Sequence, residues 1–131
     1  MSKPTKHSIA LLIRNGDQIL LLRRPDDDDE LPGIWGLPAG SFKSSETLGE
    51  VVRRIGQAKL GVALSSVRKV SEGVQDRPGY RLEMELWEAS MEDQPAVKDW
   101  KWASWDALKP GRDAASLCCA LALKSESRVS L

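Results

Sequence analysis

The sequence predicts an α+β protein in which a mixed β-sheet lies between α-helices. The order of its elements predicts this, because strand, strand, long loop, helix, several strands and helix is not the regular alternation of a doubly wound sheet. The length of 131 residues agrees, since a domain commonly has about 100–200 residues. We therefore expect one domain over residues 1–131.

The first element is a predicted β-hairpin. Residues 8–14 and 18–23 are almost entirely apolar, and Asn15-Gly16-Asp17 between them is a turn signal. Residues 25–42 then carry many turn formers and helix breakers, which predicts a long loop. The acidic run 26–30 within it is typical of a solvated surface.

A helix is predicted from about Leu48 to Leu60. Thr47 and Glu50 have the spacing of a capping box, apolar residues recur at helical spacing, and Gly61 suits the end. Two glycines inside the helix, Gly49 and Gly56, are unfavourable for helix stability. They suggest close packing against another backbone.

The rest of the chain predicts strands followed by a final helix. Residues 62–74 read as one or two strands, and Arg77-Pro78-Gly79 as a turn. In residues 80–89 the even positions are expected in the core, whereas Glu83 and Glu85 belong to the face toward water or a cleft. A short strand at 100–103, a helical turn at 104–108 and a helix from Asp113 to about Lys124 complete the prediction.

Composition excludes several classes of protein. Lysine and arginine together number 19, as do aspartate and glutamate together, so the formal net charge is zero. Without a surplus of basic charge, we expect neither a membrane-surface protein nor stable nucleic-acid binding. No apolar run approaches the ~20 residues that cross a bilayer. The N-terminal residues 1–6 lack a signal-peptide pattern, and the only cysteines are the neighbours Cys118 and Cys119. We therefore expect a reduced, cytoplasmic protein.

A motif in the middle of the chain resembles the Nudix hydrolase family, whose box is Gx5Ex7REUxEExGU with U aliphatic. The spacing matches without a gap: Gly40, Glu46, Arg54, Gly61 and Val62 take their positions in the box. The resemblance extends over about residues 7–124 and implies the Nudix fold. It also implies a ligand in which a nucleoside diphosphate is linked to another moiety, and it is compatible with a homodimer.

The box departs from the family pattern where the family binds metal. The glutamates of its REUxEE stretch hold magnesium or manganese, and those positions here are Ile55, Ala58 and Lys59, with Gly56 at the aliphatic position. Hard divalent cations need oxygen ligands, which these side chains do not supply. Metal-dependent hydrolysis is therefore expected to be weak or absent, and the protein needs no cofactor under this interpretation.

Two groups of candidate site residues follow. For catalysis we consider Glu46, Glu50 and Arg54, and Glu46 and Glu50 are also the candidate metal ligands. The helix cap is the favoured role of Glu50, which is also the expected partner of Arg54. Lys59 offers an ammonium group where the family places a metal. The candidate substrate-binding residues are Arg23, Arg24, Trp35, Gly40, Lys59, Glu83 and Glu85.

Three functions remain open at this point. The first is a nucleotide-binding or diphosphate-binding protein with weak or no hydrolysis. The second is an active pyrophosphohydrolase that uses relocated carboxylates, among them Glu83 and Glu85, with magnesium or manganese. The third is a protein-interaction module that binds no nucleotide. For Trp35 packing is the favoured role, and stacking on a base is the alternative.

Overall fold

A computed structural model describes residues 3–129, and the side chains as far as residue 126. Seven strands and three α-helices are joined by a π-helical turn and a 3₁₀ turn. The strands are β1 (Thr5–Asn15), β2 (Gln18–Arg23), β3 (Trp35–Gly36), β4 (Ala39–Ser41), β5 (Leu64–Arg77), β6 (Tyr80–Met91) and β7 (Trp100–Ala103). The helices are α1 (Leu48–Ile55), the π-helical turn (Gly56–Leu60), the 3₁₀ turn (Trp105–Leu108), α2 (Lys109–Asp113) and α3 (Leu117–Val129).

The strands form one mixed sheet, as the sequence predicted. The order is β3-β2-β1-β6-β5, with β4 paired to β1 and β7 paired to β2. β1 and β6 run parallel, with Ser8 opposite Met84, and the other pairs are antiparallel. The predicted hairpin of β1 and β2 is confirmed, and Gly16 in its turn has a φ of 61°.

Helices cover both faces of the sheet, so the predicted sandwich is confirmed. Alternate residues of β1 point to opposite faces: Ile9 and Leu11 pack with α1, whereas Ala10 and Leu12 pack with α3. Leu82, Met84 and Leu86 of β6 are buried on the α3 face. No helix among residues 3–129 combines the length and the apolarity needed to span a bilayer.

The second half of the chain differs from the prediction at the start of its final helix. Residues 64–77 form one long strand, which is one of the two predicted alternatives, with two irregularities in its pairing to β6. The final helix begins at Leu117 rather than Asp113, because Ala115 has a left-handed φ of 70° that ends the short helix α2. Ala114, which the predicted helix would include, lies before α3 and is exposed.

Candidate ligand-binding cleft

The first turn of α1 is fixed by the predicted capping box. The Thr47 hydroxyl accepts a hydrogen bond from the Glu50 backbone N–H (3.2 Å), and the Glu50 carboxylate accepts one from the Thr47 N–H (3.0 Å). These bonds satisfy two amides that the helix leaves unpaired. The hydrogen bond from the Thr47 backbone also lowers the pKa of Glu50. Glu50 therefore has a structural role at the helix start.

Arg54 pairs with Glu46, not with Glu50 as the sequence suggested. Its Nε and Nη2 donate to the two carboxylate oxygens at 2.7 and 3.0 Å, and Nη2 also donates to the Ser41 carbonyl at 2.5 Å. The Lys43 N–H donates to Glu46 at 2.8 Å. The Arg54 guanidinium, followed by this N–H, lowers the pKa of Glu46 to about 2. Glu50 is not available to Arg54 because its carboxylate turns back to the cap.

Ile55, at the first substituted glutamate position, is part of the core. It is 1% exposed, and a Cβ on Gly40 would lie 3.1 Å from its Cγ1. The first glycine of the box therefore lies directly against the Ile55 side chain. Isoleucine at this position contributes apolar packing and no polar group.

Gly56 allows the close backbone approach that the sequence suggested. A Cβ there would lie 2.6 Å from the Val62 carbonyl oxygen, a distance that no side chain tolerates. The expectation is wrong for Gly49, where a Cβ would meet nothing within 4 Å. Gly56 opens the π-helical turn, which ends at Gly61 with a φ of 70°. This turn carries Ala58 and Lys59, both exposed.

A cleft of about 510 Å³ opens on the α3 face of the sheet. Ser8 of β1 and Leu82 and Met84 of β6 line it, together with Leu37 and Cys118. The loop between β2 and β4 forms one wall, and Ala58 and Lys59 extend from the π-helical turn. The cleft therefore combines an apolar surface with charged walls, within a size range typical of small-molecule sites.

Basic side chains outnumber acidic ones around this cleft. The basic ones are Lys6, Arg23, Arg24, Lys59, Arg77 and Lys98, and the acidic ones are Asp28, Glu30 and Asp99. The formal charge of the lining is thus 6 − 3 = +3, although the whole chain is neutral. A positive cleft in a neutral protein raises the local concentration of anionic ligands.

Lys59 and Lys98 are brought to the cleft by a contact between two segments distant in sequence. The Ala96 N–H donates to the Leu60 carbonyl at 2.8 Å, which joins the π-helical turn to the segment before β7. Neither lysine makes an ion pair with any residue in the described part of the chain. Sequence reasoning singled out Lys59 but missed Lys98, Lys6 and Arg77, because no local pattern distinguishes them from ordinary surface cations.

Glu83 and Glu85 do not line the cleft. The cleft faces the even residues of β6, whereas these glutamates lie on the odd face, toward α1. Glu83 pairs with Arg81, and Glu85 pairs with His7 at 2.8 Å and accepts from Trp87 Nε1 at 2.9 Å. These residues are therefore separated by the sheet from the candidate ligand.

Trp35 also lies outside the cleft lining. Its ring packs against the core on the α3 face, and Lys101 Nζ lies 4.2 Å from the ring centroid. Ile34 and Gly36, its neighbours in sequence, do line the cleft, as do Arg23, Arg24 and Gly40. The structure thus agrees with the packing interpretation of Trp35, and ligand binding by the other residues stays a prediction.

The candidate metal ligands do not make a site that suits magnesium or manganese. Both oxygens of Glu46 accept hydrogen bonds from Arg54, and Glu50 is engaged in the helix cap. Residues 3–129 contain no group of three or more His, Cys, Asp or Glu side chains placed to hold a metal. Such cations prefer several oxygen ligands at once, so the donor set around α1 does not fit them.

The sequence matches the model of the NUDIX domain over residues 4–118. A comparison with curated proteins gave no match. Many solved structures are similar, and three of them illustrate the range.

A NUDIX hydrolase from Nitrosomonas europaea has a TM-score of 0.77 at 12% identity, with 98% of this chain and 90% of that chain covered. The solution structure of the E. coli ORF135 protein has a TM-score of 0.73 at 20% identity, with 94% and 93% covered. A MutT NUDIX hydrolase from Burkholderia pseudomallei has a TM-score of 0.70 at 22% identity, with 79% and 86% covered. At these identities the similarity concerns the fold, and it agrees with the match to the domain model. The chain therefore belongs to the Nudix hydrolase superfamily.

Proposed function

We propose that this protein binds a nucleoside diphosphate linked to another moiety, with weak or no metal-dependent hydrolysis. The ligand's phosphates would lie against the basic side chains of the cleft. The proposal goes beyond family membership, because one fold supports many activities and the site has to decide between them.

The observation that carries the proposal is the position of Lys59. It lies on the cleft, in the stretch of the box where the family places metal-binding glutamates, and has no ionic partner in the described chain. An ammonium group neutralises a phosphate as a point charge and donates up to three hydrogen bonds. Lys98 adds positive charge in the same cleft, which Arg23 and Arg24 also line while paired with Asp26 and Asp28.

The carboxylates support binding rather than hydrolysis. Metal-assisted cleavage of a diphosphate needs cations that neutralise the developing charge and activate water. Glu46 is held by Arg54 and Glu50 by the helix cap, while lysine activates no water. Of the acidic residues that line the cleft, Asp28 and Glu30 form ion pairs with Arg24 and Arg77.

The apolar surface of the cleft suits the uncharged part of such a ligand. Leu82 and Met84 are buried side chains of the sheet, and Tyr80 adds an aromatic ring beside them. Flat bases and sugars bury well against such surfaces, with a few polar groups fixing their orientation. We infer that the moiety beyond the phosphates contacts this region.

The test is calorimetric titration of the protein with ADP-ribose and UDP-glucose, in magnesium, in manganese and in EDTA, while product release is followed. We expect binding that persists in EDTA with little or no turnover. Lys59→Ala should weaken binding about tenfold, in line with a charge-assisted hydrogen bond. Lys124→Ala, an exposed lysine of α3 outside the cleft, is the matched control and should bind as the wild type does.

Other outcomes would support the alternatives. Metal-dependent cleavage would favour an active pyrophosphohydrolase with relocated carboxylates, and variants of Asp28, Glu30 and Asp99 would then identify them. If no nucleoside diphosphate or related phosphate compound binds under any of these conditions, a protein-interaction module is favoured. Affinity unchanged in Lys59→Ala would remove Lys59 from the site.

We also propose a cytoplasmic location and leave a homodimer as a prediction. The support for the location is that both cysteines of the described chain are free thiols, which suits a reducing compartment. Size-exclusion chromatography with light scattering tests the homodimer.

A further inference from the structure

The acidic run in the loop between β2 and β3 is tied to the protein rather than simply solvated. Asp28 pairs with Arg24 at 3.1 Å and accepts hydrogen bonds from the N–H groups of Leu31 (2.8 Å) and Glu30 (3.2 Å). These contacts shape the loop so that the following side chain, Glu30, reaches across the cleft.

Glu30 joins the two walls at one end of the cleft. Its Oε2 accepts from Arg77 Nη1 and from the Tyr80 hydroxyl, both at 2.8 Å. Glu30 lies on the loop wall, whereas Arg77 and Tyr80 belong to the β5–β6 hairpin, 47 and 50 residues later. A single carboxylate oxygen of Glu30 therefore joins the loop to the β5–β6 hairpin, two segments that are distant in sequence.

Arg77 and Tyr80 have the character of an anion-binding pair. The Arg77 side chain is 16% exposed, and its Nη2 also donates to the Ala115 carbonyl at 3.3 Å. Its Nε is buried and has no acceptor among the described residues, so Glu30 does not satisfy every donor of this guanidinium. Lys6 Nζ lies 5.3 Å from the centre of the Tyr80 ring and adds positive charge.

We propose that Arg77 and Tyr80 form a second anion subsite of the cleft, for a phosphate or carboxylate group, and that the Glu30 carboxylate competes with such a group for this subsite. This inference rests on the proposed function for the identity of the cleft as a ligand site. An anionic group of a ligand enters this end only by displacing Glu30. The contact of Glu30 with Arg77 and Tyr80 therefore disfavours ligands that place an anionic group at this end of the cleft.

The competition favours Glu30 because it belongs to the same chain. A tethered group acts at an effective concentration in the millimolar range. A free anion therefore displaces it only at similar concentrations, or when other contacts of the same ligand add to its affinity. Removal of the carboxylate should expose the subsite to free phosphate.

The test is titration of inorganic phosphate into the full chain, with the amide resonances of Arg77, Gly79 and Tyr80 followed by NMR. In Glu30→Ala we expect saturable shifts with an affinity at least tenfold higher than in the wild type. Asp29→Ala removes the same charge from the neighbouring position and should behave as the wild type. In the double variant Glu30→Ala/Tyr80→Phe the affinity should fall several-fold, because a donor to the anion is lost.

Two results would overturn the proposal: no saturable shifts of these amide resonances in Glu30→Ala, or equal affinity in Glu30→Ala and the wild type. If Glu30→Ala does not fold, Glu30→Gln provides the same comparison, with a neutral amide that binds Arg77 more weakly than the carboxylate. The probe is phosphate alone, whereas the proposed function is tested with nucleotides and Lys59 variants. Either proposal can therefore fail while the other holds.

Discussion

Gly40 and Ile55 are in such close contact that a single added carbon on Gly40 would lie 3.1 Å from Ile55 Cγ1. The first glycine of the box and Ile55, the residue that follows Arg54, are therefore held together by apolar packing. This contact places Ile55 in the core between α1 and the sheet, where it is 1% exposed. Ala58 and Lys59, on the next turn, remain exposed beside the cleft.

Ile55→Glu should strongly destabilise the protein. A carboxylate at this buried position would lose its hydration with no partner, and we expect the free energy of unfolding to fall by about 3 kcal/mol or more. Ala58→Glu is the matched control, since the same side chain would be exposed there and should change stability by about 0.5 kcal/mol at most. Denaturant unfolding at pH 7 measures both, and similar stabilities would contradict the packing argument.

That difference also bears on restoring the family's glutamates. The triple variant Ile55→Glu, Ala58→Glu and Lys59→Glu supplies the missing carboxylates, but one of them must enter the core. We expect this variant to be much less stable than the wild type, so that any metal-dependent turnover comes from its folded fraction alone. Turnover measured with and without magnesium, alongside the melting temperature, separates a lack of ligands from a lack of folded protein.

Substitution of the two glycines in α1 and the π-helical turn should have opposite effects. Gly56→Ala would place a carbon 2.6 Å from the Val62 carbonyl oxygen, and the resulting backbone shift should cost about 1–3 kcal/mol. Gly49→Ala fills open space in a helix, where alanine is favoured over glycine by about 1 kcal/mol. Thermal unfolding of the two variants should thus move the midpoint down and up respectively. A stabilising Gly56→Ala would show that the turn relaxes freely.

The ion pair of Glu46 and Arg54 should make stability depend on pH in the acid range. The pKa of Glu46 is about 2 in the folded protein, against an ordinary value of 4.5. A lowered folded pKa gives stability that is present above the ordinary value and is lost as pH falls toward the folded value. The advantage of the wild type over Glu46→Gln should therefore shrink between about pH 4.5 and pH 2.

Arg54→Met provides the control for this assignment. Without the guanidinium, the main cause of the lowered pKa of Glu46 is removed. Glu46→Gln should then have a much smaller pH-dependent effect in the Arg54→Met background than in the wild type. An undiminished effect would attribute the pH dependence to the Lys43 N–H instead of Arg54.

Ligand affinity should fall as salt concentration rises. The cleft's positive charge is partly exposed, and salt screens such charges over about 8–10 Å at 0.1–0.15 M ionic strength. Titration with ADP-ribose at several sodium chloride concentrations should therefore show progressively weaker binding, with a shallower dependence in Lys59→Ala or Lys98→Ala. A salt dependence that is the same in these variants and the wild type would place the phosphates elsewhere.

The sequence by itself determined the structural elements that depend on interactions between residues close together in the chain. The capping box at Thr47 and Glu50, the hairpin turn at Gly16 and the alternation in β6 each depend on neighbouring residues, and all three are present. The box spacing likewise indicates the family from the sequence alone. The start of the final helix was misplaced because Ala115 adopts a left-handed conformation that alanine does not signal.

Only the tertiary structure decided which charges meet. Glu46 rather than Glu50 reaches Arg54 because the cap already occupies Glu50. Glu83 and Glu85 point away from the cleft because the sheet offers its even-numbered β6 face to it. Contacts between distant segments bring Lys98, Arg77 and Glu30 to the cleft. No periodic pattern in the sequence predicts such contacts. Local hydrogen bonding fixes an element, whereas a site depends on how separate elements pack.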